Sequence, residues 1–200
     1  MRALIVVFAV VLAACGGATR DGASQSETIA SRPFAPLTLR QPAVFVRVQL
    51  GYGQWSDRQK SSLPAEYEGA LVEAMNARAV LARDVRLLAP RDALDRNVAL
   101  SRAREVGADH AVLVEAKIEQ TEREFCKGTR AAFRRMTTVW TQRLVAVRAS
   151  DGAVAFETLN PVEVTGFEPD CDAPRESRTR SPADELAHAV ETLVARLLGS

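Results

Sequence analysis

The chain has 200 residues, of which 47% are hydrophobic and 26% charged, enough for one domain with a substantial core plus a tail and too few for two ordinary domains. Lysine and arginine number 26 against 25 aspartates and glutamates, which excludes bulk electrostatic attraction to nucleic acid.

The chain opens with Met1-Arg2, an apolar run from Leu4 to Val11, and then Leu12-Ala13-Ala14-Cys15. A membrane span needs about 20 apolar residues, and this run is broken by Gly16-Gly17 and then by Arg20-Asp21. One positive residue, a short apolar stretch and small residues before a cysteine resemble the lipobox of bacterial lipoproteins. The resemblance implies a signal peptide over residues 1–14 and a palmitate-type lipid on Cys15. With Gly16 rather than an aspartate after the cysteine, it also implies an outer-membrane location facing the periplasm. Loss of residues 1–14 removes Arg2 and leaves 25 charges of each sign.

Residues 15–42 are rich in Gly, Ser, Thr, Ala and Pro, and read as the lipidated cysteine followed by a flexible tether, with the domain at 43–200. As a coil, about 27 residues span roughly 30 Å, which keeps the domain near its membrane. From Ala43, Val44, Val46, Val48 and Leu50 alternate with Phe45, Arg47 and Gln49, the period of a half-buried strand that Gly51-Tyr52-Gly53 ends. Ser62 and Pro64 mark a helix start, and Tyr67, Leu71, Ala74 and Met75 share one face of it. Asp84 to Leu88 is a short strand. A second helix is expected from about Asp92 to Val106, closed by Gly107.

His110 to Glu119 alternates again and predicts a strand, and Thr137 to Arg148 a second one. Asp151-Gly152 predicts a tight hairpin turn with both central residues at positive φ, followed by a strand from Ala153 to Leu159. Pro161 interrupts that strand, which resumes as an edge segment over Val162 to Phe167. Ser181, Pro182, Asp184 and Glu185 open a last helix with its apolar stripe on Leu186, Val190, Leu193, Val194 and Leu197. The expectation is an α+β fold (an α/β sandwich), with a mixed sheet in the order β-α-β-α-β-β-β-α and helices packed mainly on one face.

With Cys15 assigned to lipid, Cys126 and Cys171 remain, as a disulfide, two buried thiols or half a metal site. Metal is disfavoured, because only His110 and His188 could join them and the spacing is not that of ligands. An exported chain favours the disulfide, and so does the meander, which places both cysteines at one end of the sheet.

The run Arg104-Glu105-Val106-Gly107-Ala108-Asp109-His110-Ala111-Val112-Leu113-Val114 is a helix end, a Gly-Ala-Asp link and an apolar strand. It resembles the periplasmic α/β domain of penicillin-binding-protein activator lipoproteins and of the curli-secretion channel lipoprotein. The auxiliary lipoproteins of lipid-transporting ABC systems have a similar element order. The resemblance implies a non-catalytic, protein-binding adaptor in cell-envelope assembly. The alternative it implies is an auxiliary subunit of an ABC-type lipid or small-molecule transport system, with an apolar groove between helices and sheet. Against the secretion role, the sequence offers no long alternating hairpin from which a barrel is built.

The chain has two histidines and no Gly-x-Ser-x-Gly elbow, so no enzyme, cofactor or metal is expected. Gly51-Tyr52-Gly53 lacks the third glycine of a dinucleotide loop and reads as a turn. Asp170 and Asp172 beside Cys171 read as a solvated acidic turn. Two candidate partner-binding groups remain. Tyr52 and Trp55 are either an exposed aromatic anchor or a pair in which Trp55 folds onto the sheet edge. Arg130, Arg134 and Arg135 belong to a basic rim interleaved with acids, which is either a ligand-gripping surface or a mutually paired loop.

Overall fold

A computed structural model describes residues 34–128, 133–164, 171 and 181–199. Eight elements follow one another: β1 (Ala43–Leu50), α1 (Asp57–Asn76), β2 (Asp84–Leu88), α2 (Arg96–Glu105), β3 (His110–Phe125), β4 (Phe133–Arg148), β5 (Val154–Val164) and α3 (Pro182–Leu198). The strands form one mixed sheet in the order β2-β1-β3-β4-β5, with β1 parallel to both β2 and β3 and the remaining pairs antiparallel. This is the expected α+β architecture and the expected element order.

The helices divide unequally between the faces. On one, Tyr67, Leu71 and Met75 of α1 and Leu186, Val190 and Leu193 of α3 pack onto Val44, Val46, Val112, Val114, Ile118 and Leu144. On the other, Ala99 and Ala103 of α2 let that helix lie close over Phe45, Ala111, Leu113 and Val147. Strand β1 is therefore covered on both sides at Ala43, Val44, Phe45 and Val46, where its alternation predicted a half-buried strand.

Several boundaries differ from the sequence reading. Helix α1 begins at Asp57 under a Ser56–Gln59 capping box, so Pro64 lies inside it. Helix α2 begins only at Arg96, where Asp95 accepts hydrogen bonds from the backbone N–H groups of Asn97 and Val98. Strand β3 runs on to Phe125 and pairs in register with β4 back to Phe133. A long alternating hairpin thus exists where none was expected, because the charges of residues 120–125 masked a strand with little to bury.

The β4–β5 connection is also wider than a two-residue turn. The backbone N–H of Gly152 donates to the carbonyl of Arg148, and of these two turn residues only Gly152 takes a positive φ, of 74°. Asp151 keeps an ordinary φ and instead accepts from the Ala153 backbone and the Arg148 guanidinium. Pro161 does not interrupt β5, which continues opposite Thr141 to Val164. An edge strand tolerates a proline, since a missing N–H there leaves no inner partner unpaired.

Residues 34–42, assigned by sequence to the tether, pack on the domain. Phe34 meets Phe156 with ring centroids 5.9 Å apart, the Leu37 backbone donates to the carbonyl of Leu197 at 2.8 Å, and Leu39 is buried. We call this segment the strap. The expected signal peptide at 1–14, Cys15, Arg130 and residues 165–170 and 172–180 lie outside the described residues.

Candidate functional site

The Gly-Ala-Asp link explains how the strap is held. Gly107, at a φ of +67°, ends α2, Ala108 is buried, and the Asp109 carboxylate accepts from the backbone N–H groups of Arg40 at 2.8 Å and Gln41 at 3.2 Å. The Asp109 carbonyl accepts in turn from the Ala149 backbone. The strap, the starts of β1 and β3, the β4–β5 turn and the end of α3 therefore share one end of the sheet, the entry end.

The opposite, far end carries the loop after β1 and the extended hairpin. The Gly51 N–H donates to the Ile118 carbonyl and the Gln120 N–H to the Tyr52 carbonyl, at 2.8 and 2.7 Å, so this loop prolongs β1 along β3. The loop displays Tyr52, which is 75% exposed. Trp55 turns inward, its indole N–H donating to the Gly51 carbonyl at 3.0 Å while its ring packs against the core. Of the two candidate aromatics, Tyr52 is presented to solvent and Trp55 serves the fold.

Beyond the end of β5's ladder, Thr121–Phe125 and Phe133–Thr137 pair with each other, an arm of about 17 Å at roughly 3.4 Å per residue. Cys126 at the end of β3 is joined to Cys171 by the disulfide expected from the sequence, 45 positions apart. Arg134 and Arg135 are exposed on this arm, with Glu124 opposite Arg134 and Arg123 opposite Arg135. Arg123 pairs with Glu163 at 2.9 Å. Charges of both signs thus alternate along the arm, and exposed Met136 sits among them.

A second feature was not singled out in the sequence. Arg47, Glu115 and Arg143 stand directly opposite one another on β1, β3 and β4, with Glu157 on β5 two residues along, opposite Val145. Arg47 pairs with Glu115, and Arg143 with Glu157 at 2.8 Å. This alternating row borders a cavity of about 260 Å³ beside α2, also lined by Leu94, Arg96, Leu113, Val145 and Val154. In sequence these residues are merely the polar half of four strand alternations; only register brings them into line.

A buried polar relay crosses the interface under α1 and α3. The Tyr67 hydroxyl donates to Gln142 Oε1 at 2.6 Å, Gln142 Nε2 donates to the Ala189 carbonyl at 2.9 Å, and the Tyr67 ring stacks on Trp140. Burial pushes the Tyr67 phenol far above its ordinary pKa, so it remains a donor. The groove between α1 and α3, about 440 Å³, lies on the outside of the core and is edged by Glu73, His188 and Glu191. Among the described residues, no group of three or more His, Cys, Asp or Glu is placed to hold a metal ion.

No protein-family model matches the chain, and no curated protein matches it. Among solved structures it is similar to the PelC dodecamer from Paraburkholderia phytofirmans, with a TM-score of 0.42 and 14% identity over 82% of this chain and 94% of that one. It is also similar to lipoprotein GNA1162 from Neisseria meningitidis, with a TM-score of 0.39 and 9% identity over 80% and 99% of the two chains. For the LpoB C-terminal domain from Salmonella enterica, the TM-score is 0.28 and the identity 14% over 63% and 84%. Likenesses of this extent carry no inference about function.

Proposed function

We propose that the chain is a lipoprotein, acylated on Cys15 and held on the periplasmic side of the outer membrane, whose domain binds an envelope protein partner without catalysing a reaction. The observation that carries this reading is the opposition of the two ends. The chain arrives from the side of Cys15 through a strap latched at the entry end, while Tyr52, Met136 and the disulfide-closed arm project from the far end. A surface carried away from an anchor suits capture of a partner, and exposed aromatic and methionine side chains suit interface anchors. The continuous cluster of buried side chains under α1 and α3, Tyr67, Leu71, Leu193 and Leu197 among them, favours this reading over an ABC-type transport subunit with its ligand between helices and sheet.

The experiment has two arms. Cys15→Ser abolishes incorporation of a labelled fatty acid and leaves the uncleaved precursor; label retained by the variant contradicts the anchor. Tyr52→Ala with Met136→Ala weakens partner capture by about 2 kcal/mol with little change in Tm, since both side chains are exposed. Trp55→Ala is the control: it lowers Tm, because its ring packs on the core. Capture unaffected by the double substitution contradicts the far-end surface.

A further inference from the structure

Strand β2 closes one edge of the sheet, with β1 on its inner side and no backbone hydrogen bond on its outer side among the described residues. Free edges invite another strand, and proteins blunt them with a proline, a bulge or a row of charges. The opposite edge, β5, carries Pro161 and a register shift against β4. β2 is a regular five-residue strand, Asp84-Val85-Arg86-Leu87-Leu88, with neither device.

Apolar side chains flank this edge on both faces. Val85 packs against the core under α1, so Leu87, two residues on, lies on the same face and is exposed there. Leu81, in the loop that leads into β2, is exposed as well, and Ala79 before it takes a φ of 59°, a conformation that costs an alanine about 1–2 kcal/mol. On the other face, Arg102 Nε donates to Asp84 at 2.8 Å, which turns that side of α2 toward β2; Val98, one turn earlier, is exposed on it. Leu81, Leu87 and Val98 are half of the six large apolar side chains exposed among the described residues, and they surround the unpaired strand. Helices α1 and α2 lie over β1 more than over β2, which leaves the edge open on both faces.

We propose that this edge pairs with the same edge of a second copy of the chain, joining two five-stranded sheets into one through antiparallel β2 strands. A two-fold axis at Val85 sets Val85 against Val85, Asp84 of each copy against Arg86 of the other, and Leu87 against the stem of Arg83. The same axis at Arg86 sets guanidinium against guanidinium. The strand is therefore self-complementary in one register and repelled in the next. Arg86, half exposed, bonds Asp84 of its own chain at 3.1 Å and exchanges it for the other copy's at little cost, while Arg102 goes on holding that carboxylate. An acid and a base two residues apart on a free edge form the pattern that a two-fold interface requires. Neither the anchor nor the far-end partner enters this argument.

The test is a symmetric crosslink. Val85→Cys is combined with Cys15→Ser, so that with Cys126 and Cys171 bridged position 85 carries the one free thiol. The full chain is oxidised with copper phenanthroline in a detergent lysate, purified and weighed without reductant. Directly opposed residues have Cα atoms about 4.5–5.5 Å apart, within a disulfide's reach, whereas position 86 lies about 7–8 Å from its own copy. The expected result is a covalent dimer from Val85→Cys and monomer from Arg86→Cys in the same background. Arg86→Glu, added to Val85→Cys, sets acid against acid and lowers the dimer yield about tenfold, with the far-UV signal unchanged because Arg102 still holds Asp84. Val98→Asp, at an exposed position near the start of α2 where an acid suits the helix, lowers the yield as well. Monomer from Val85→Cys, a dimer from Arg86→Cys instead, or a yield unmoved by Arg86→Glu and Val98→Asp overturns the proposal. An adduct whose mass is not twice that of the chain gives the edge to a different protein and overturns the second copy.

Discussion

The carboxylate of Asp109 accepts a 2.8 Å hydrogen bond from the backbone N–H of Arg40, tying the strap to the start of β3 across 69 positions of sequence. A second bond from Gln41 completes the latch. Asp109→Ala leaves both N–H groups without their acceptor and is expected to cost about 1–3 kcal/mol in urea unfolding at unchanged m. Trypsin cleavage after Arg40 accelerates in the same variant. Wild-type proteolysis rates at Arg40 would show that the latch does not hold the strap.

The buried relay from Tyr67 through Gln142 to the Ala189 carbonyl makes a coupled prediction. Tyr67→Phe strands Gln142 Oε1, and Gln142→Leu strands the phenol, each at about 1–3 kcal/mol. The double variant is less destabilised than the sum of the two, because the second change removes a partner already left unpaired. Strict additivity in equilibrium unfolding contradicts the relay.

Stability falls in acid through carboxylates held below their ordinary range, Asp84 and Glu191 among them. A hydrogen bond from Arg102, with a second from Arg86, holds Asp84 below the usual carboxylate range, and one from Arg78 does the same for Glu191. Both groups bind protons more weakly folded than unfolded, so their contribution is full above the unfolded carboxylate pKa and is lost as pH falls through the depressed folded values. Urea midpoints are therefore expected to be flat from about pH 7 to 5 and to drop below about pH 4. Asp84→Asn flattens the acid limb; an unchanged slope contradicts the Arg102 contact.

Closing 45 residues between Cys126 and Cys171 stabilises the fold by about 4 kcal/mol in the chain-entropy model. Reduction is expected to lower Tm by roughly 10 °C while the far-UV helical signal persists, since α1, α2 and α3 are held by side chains packed on the sheet. An unchanged Tm contradicts that contribution.

The parts legible in the sequence were those set by local periodicity. The Val44/Val46/Val48 alternation, the α3 stripe and the cysteine pair at one end of a meander all reappear in the fold. What was missed depends on partners distant in sequence. Pro64 read as a helix start because Ser56 and Gln59, eight and five positions earlier, cap the helix instead. Residues 120–125 read as loop because their pairing with 133–138 hides in charge, not in apolar alternation. Leu37 and Leu39 read as tether because their contact, the end of α3, lies at the far end of the chain. The Arg47–Glu115–Arg143 row was invisible for the same reason, since a strand's polar face carries no signal of register.

The central claim, that the domain presents its far end to a protein partner, is tested most directly by photo-crosslinking in living cells with a photoreactive residue at single positions. Residues 52 and 136 report the far end, and residues 40 and 196 the entry end. The account predicts a discrete crosslinked envelope protein from 52 and 136 and none from 40 and 196; adducts confined to 40 and 196 would contradict it.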